Sequence, residues 1–113
     1  PKDPLTSMIA DTSALIAAVD RVGAVSKVGI GLHVNGALQI TGRGTDGGSA
    51  EDSIDIEHTG PNLSIGINAA YISEALKHIE GESIWGMTDA GAPVSIRDSA
   101  DASKLFVLMP MRL

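Results

Sequence analysis

With 113 residues, 43% of them hydrophobic and 19% charged, the chain has enough apolar surface for a real core and too little length for two, so it is neither disordered nor multidomain and one domain over 1–113 is expected. A net charge of -6 argues against nucleic-acid binding through an overall basic surface, and the absence of cysteine excludes disulfide staples and thiolate metal sites. No apolar run approaches the roughly 20 residues that cross a bilayer, so no membrane partner is expected. Without cysteines or a signal peptide, the expected location is cytoplasmic. The chain opens on Pro1, which suits a processed product or a piece of something longer. With one Trp, one Tyr and one Phe, its core must be built from Ile, Val, Leu, Ala and Met.

Leu5 to Ala10 reads as a short strand. Asp11, Thr12 or Ser13 can then cap a helix from Ala14 to about Ala24, with Leu15, Val19 and Val22 on one stripe. From Val28 the period becomes two: Val28, Ile30, Leu32 and Val34 alternate with Gly29, Gly31 and His33. Asn35-Gly36 is a two-residue hairpin signal, and Leu38-Gln-Ile40 returns as the partner strand. Gly42 to Ser49 reads as a glycine-rich loop, followed by a single strand from Ser53 to His58 with Asp52, Asp55 and Glu57 toward solvent. The pattern then restarts. Leu63 to Ile67 is a strand, Asn68 a cap, and Ala69 to Glu80 a helix that Gly81 ends, with Ile72, Ala75, Leu76 and Ile79 on one stripe. Strands near Ser83 to Met87, Val94 to Arg97 and Leu105 to Met109 complete the second half. Leu105-Phe-Val-Leu108 is nearly continuous in apolar residues, as in a strand buried on both faces, and Pro110 ends it.

The element order is therefore strand, helix, three strands, twice over. It predicts an α+β fold of two similar halves, hairpin-connected sheets and two helices packed on one face. Beyond the last strand, Met111-Arg112-Leu113 is unusually apolar for a chain end. Two readings stand: a soft surface that repacks around a partner, or a tail folded over its own core. Tyr71, beside Asn68, is likewise either an exposed contact ring or a core residue.

Several motifs lead nowhere. Gly42-Arg-Gly-Thr-Asp-Gly47 has dinucleotide-fingerprint spacing, but a strand follows it and no helix start is available for a pyrophosphate. Glu51, Asp52, Asp55 and Glu57 lack the loop spacing and turn glycine of a cation site and read as a solvated strand face. His33, His58 and His78 lie on separate elements without paired-ligand spacing, and no serine sits in a nucleophile elbow. No metal, cofactor or catalytic residue is expected.

Three stretches, Ile65-Gly-Ile-Asn-Ala-Ala-Tyr-Ile-Ser-Glu-Ala-Leu76, Thr88-Asp-Ala-Gly-Ala-Pro-Val-Ser-Ile96 and Val107-Leu-Met-Pro-Met-Arg-Leu113, resemble the C-terminal domain of the bacterial DNA polymerase III β subunit, the sliding clamp. The resemblance runs in order over nearly the whole chain, and Pro1-Lys2 resembles the passage from that family's middle domain. It implies the DNA-clamp fold and a non-enzymatic processivity factor, a homodimer ring that encircles duplex DNA. The ring would tether the polymerase and clamp loader subunits, which bind through short peptides. The groove residues it implies are Asn68, Tyr71, Pro93, Val94, Val107, Met109, Pro110, Met111, Arg112 and Leu113. DNA contact, weak and sequence-independent, is implied at Arg21, Lys27 and Lys77, and a subunit interface at Ala24 and Val25. Three departures stand out: a shortened segment from Ser26 to Val34, a strand one residue short near Trp85, and Gly91 where the family has a larger apolar groove residue. The rival reading is a free-standing interaction module or decoy with the same fold.

Overall fold

The computed structural model describes residues 4–26 and 29–112. Its elements run β1 (Thr6–Asp11), α1 (Thr12–Gly23), β2 (Ile30–Asn35), β3 (Ala37–Arg43), β4 (Ser49–Asp55), β5 (Glu57–Thr59), β6 (Leu63–Ile67), α2 (Ala69–Leu76), β7 (Glu82–Met87), β8 (Val94–Asp98) and β9 (Leu105–Leu108). The expected α+β class holds. Two antiparallel sheets form, one in the order β5-β1-β7-β8-β9 and the other β4-β3-β2-β6. Each half lends its opening strand to the other: β1 borders β7, and β6 borders β2. The run β1-β7-β8-β9 thus repeats β6-β2-β3-β4, as the duplicated element order predicts.

Helix starts follow the local chemistry. Asp11 caps α1, its carboxylate accepting from the Ala14 amide at 3.0 Å. Asn68 caps α2, its side-chain oxygen accepting from the Ala70 and Tyr71 amides at 2.9 and 3.2 Å. The helices meet where Ser73 donates to Asp20 at 2.9 Å. Helix α2 stops at Leu76, four residues before the expected end at Glu80. The amides of His78 and Ile79 bond the carbonyls of Ala75 and Leu76, three residues back, so α-geometry tightens into turns ahead of Gly81 at φ 77°.

The β2–β3 register corrects the two-residue hairpin. Val34 faces Leu38 and Leu32 faces Ile40, so the turn centres on Gly36 at φ 75°. A two-residue turn would pair Val34 with Ala37 and swing Leu38 and Ile40 to the outer face; both are fully buried, and burial sets the register.

The single strand expected over Ser53 to His58 is two strands in different sheets. Asp55 pairs with Ala37, the first residue of β3, so nothing in that sheet remains for the chain to pair with. Half-buried Ile56 packs on the core as the chain crosses, and Glu57–Thr59 takes the free side of β1. One core joins both sheets and both helices through Met8, Leu15, Leu38, Ile72, Trp85 and Ile96, each with no exposed surface. The Trp85 indole N–H remains satisfied there by Ser83 Oγ at 3.2 Å.

Candidate partner-binding surface

Strand β9 closes the five-stranded sheet. It is not buried on both faces as its apolar run implies: Leu105 and Val107 are 48% and 59% exposed, while Phe106 and Leu108 turn inward, half-buried. The expectation fails because, among the described residues, no strand covers the outer face. Opposite Val107 lie Ser95 and an open hollow of about 600 Å³ that also includes Ala92, Pro93 and Leu105.

Beyond β9 the chain does not seal itself into the core. Met109 is 62% exposed, and the Met111 amide donates to the Gly66 carbonyl at 2.7 Å, bridging the tail to β6 in the other sheet. That backbone bridge, with the Met111 thioether lying against Gly29, holds the tail across the seam between the sheets and leaves Met111 37% exposed. Asn68 follows one residue after β6, so its capping bonds fix the start of α2 beside the tail and leave Tyr71 61% exposed. Both questions left open by the sequence therefore resolve toward exposure.

Of the expected groove residues, Tyr71, Pro93, Val107, Met109, Met111 and Arg112 are exposed, and Asn68 and Pro110 are half-buried. Val94 needs correction as a contact residue. It faces inward opposite Leu108 with no exposed surface, so it supports the sheet from behind. Leu113 lies outside the described residues. Gly91 is exposed, its amide held by Asp89 Oδ1 at 2.8 Å.

The sequence reading missed a notch of about 200 Å³ between α2 and β9, lined by Tyr71, Glu74, Ala75, His78, Phe106 and Leu108. The His78 and Phe106 rings stack there with centroids 5.8 Å apart. The period-two inward placement of Phe106 and Leu108 was the available signal, hidden by the continuous apolar run.

The cations on the helices are already engaged. Arg21 Nε donates to Asp52 Oδ2 at 2.6 Å, and Lys77 Nζ reaches Glu74 Oε2 at 2.8 Å; Lys27 lies outside the described residues. Asp52 is therefore no solvated strand carboxylate. The Arg21 hydrogen bond, aided by the Ser53 amide, holds its carboxyl below the usual range, and Lys77 does the same for Glu74. Ala24 and Val25 sit exposed at the end of α1.

The other chemical candidates find structural roles. Gly42–Gly47 forms the end of β3 and a turn closed by Gly44 N–H to Gly48 O at 2.7 Å, with β4 after it. His33 bonds Ser64 and Thr41 at 2.8 and 3.0 Å, and His58 accepts from the Gly36 amide at 2.8 Å. Among the described residues no cluster of three His, Asp or Glu is placed to hold a metal ion. No described helix is long and apolar enough to cross a membrane.

An exposed apolar arc on a duplicated, strand-exchanged frame has close counterparts among known proteins. The beta sliding clamp of Proteus mirabilis is 31% identical over the whole chain, and that of Escherichia coli 32%. The chain spans about a third of the length of these curated relatives, 32% of each. The crystal structure of a Pseudomonas aeruginosa DNA polymerase III subunit beta sliding clamp, bound to griselimycin, superposes with a TM-score of 0.95 at 28% identity, covering 100% of this chain and 32% of that one. The model of the DNA polymerase III beta subunit, C-terminal domain, matches residues 1–112, and with fold and relatives in agreement the chain belongs to that family.

Proposed function

We propose that this chain is the last domain of a bacterial sliding clamp, a non-catalytic processivity factor of the cytoplasm. Its ring, a homodimer, encircles duplex DNA and tethers the replicative polymerase and other partners. The chain contributes one wall of the groove that takes the partners' short extended peptides. What supports this most is the exposed arc of Tyr71, Val107, Met109 and Met111 around a tail bridged to Gly66. Methionines adapt to different apolar anchors, Tyr71 offers a flat wall, and Arg112 supplies donors for carbonyl or carboxylate groups. Ala24 and Val25 give the subunit interface a small apolar contact. DNA contact is weak and sequence-independent, because Arg21 and Lys77 are already paired with carboxylates.

A titration with a peptide carrying two apolar clamp-binding anchors, followed by methyl and amide NMR, tests the groove. Shifts are expected at Tyr71 and at Met109 to Met111, and Val107→Lys should weaken binding about tenfold or more. Since Val107 is exposed, that variant should keep its stability within about 0.5 kcal/mol. Saturating peptide without movement at Tyr71 and the methionines would end the groove assignment.

A further inference from the structure

The tail also borders a second concavity, on the outer face of the four-stranded sheet. A trough of about 850 Å³ lies there, its lining including Gly31, Thr41, Arg43, Glu51, Met111 and Arg112. On β2 the inward Ile30 and Leu32 flank Gly31, which is itself buried, so the exposed lining of the trough is Arg43, Ser49 and Glu51 on the neighbouring strands together with the tail. The charge of the trough departs from that of the molecule. The chain carries a net charge of -6, yet two arginines, Arg43 and Arg112, line this concavity. Among the described residues neither Arg43 nor Arg112 is in an ion pair, whereas Arg21 and Lys77 both are. Glu51, the carboxylate in the lining, already accepts from Gln39 Nε2 at 2.8 Å.

Resting on the groove reading above, we infer that this trough is an extension of the partner site that takes acidic residues flanking a partner's apolar anchors. Met111 and Arg112 belong to both surfaces, so an extended segment seated on the tail passes directly onto the outer sheet face. Arg43, which the groove assignment does not use, selects for carboxylates there. Its guanidinium presents a rigid fork of donors that matches a carboxylate, and a local positive site on an acidic protein discriminates against neutral and basic flanks.

Three labelled peptides with the same apolar anchors test this by fluorescence anisotropy: one with an acidic run before the anchors, one with it after, and one with neutral Ser and Gln flanks. One of the acidic peptides should bind about two- to fivefold tighter than the neutral one at low salt, as expected for partly exposed ion pairs. That advantage should disappear at high ionic strength and in Arg43→Glu, with the neutral peptide unaffected. Equal binding of all three, or an Arg43→Glu effect that is the same on all three, overturns the inference and leaves the groove reading standing. Failure of all three to bind overturns both. If Arg43→Glu weakens binding of duplex DNA and leaves the acidic peptides unchanged, the trough belongs to phosphates and the peptide assignment falls.

Discussion

Strand β4 closes the four-stranded sheet and β9 closes the five-stranded one, at equivalent places in the duplicated pattern. Their surfaces have little in common. Along β4 the exposed positions are Ser49, Glu51, Ser53 and Asp55, while β9 exposes Leu105 and Val107. The β4 residue Asp52 turns back to Arg21 on α1, placing an inward-leaning charge on that edge. Carboxylates on an edge strand repel unselective pairing, and β9 has no such guard. Each edge pairs antiparallel with one neighbour, over seven residues at β4 and four at β9, so the same topology carries opposite edge chemistry, and the apolar edge is the one beside the Met-rich tail.

If the two edges differ only at the surface, their inward supports should matter equally. Ile40→Ala, next to β4, and Ile96→Ala, next to β9, each remove a fully buried side chain from the shared core. Each should cost about 2–5 kcal/mol in urea unfolding. A large loss at one and a negligible loss at the other would mean that the sheets do not share a core.

The helix caps behind the edges come next. Asn68→Ala removes the oxygen that accepts two amides of the short helix α2 and should cost about 1 kcal/mol, measured in the same way. It should also broaden the Tyr71 ring signals, sharpening the link between the cap and the apolar edge. An unchanged ring would separate the two.

The smallest effect belongs to the polar edge. The Arg21 hydrogen bond holds the Asp52 carboxyl below the ordinary aspartate range, so the pairing adds stability above the unfolded pKa, and that contribution fades as pH falls through the lower folded value. In Arg21→Gln the Asp52 carboxyl should titrate at higher pH by carbon NMR, and the stability difference from the parent should vanish in acid. The Arg21 side chain is 62% exposed, so added salt should shrink the difference. A Asp52 titration unmoved by Arg21→Gln would return that carboxylate to the solvated role expected from alternation.

Much of the frame was legible in the sequence because periodicity reports burial. Val34, Leu38 and Ile40 mark one face of a hairpin, and Asp11 and Asn68 mark helix starts. What escaped depends on the rest of the chain. The break at Ile56 follows from where β3 begins, which the strand's own residues do not encode. Leu105 to Leu108 reads alike in a central or an edge strand, since only the presence of a covering layer distinguishes them. The tail was recognisable by its composition and family likeness. Its bond to Gly66 and the trough beside Arg43 require strands far apart in sequence to be assembled first.

The exchange of opening strands carries a kinetic consequence. Met8 must find Trp85 across most of the chain, and Leu32 must find Ile65, before either sheet is complete. Closing such long loops costs entropy ahead of any reward, so assembly is governed by distant encounters and is slow for a chain of this size. A cut between Thr59 and Leu63 would leave each fragment without the strand its sheet borrows from the other, so the halves are interlocked and neither is an autonomous folding unit.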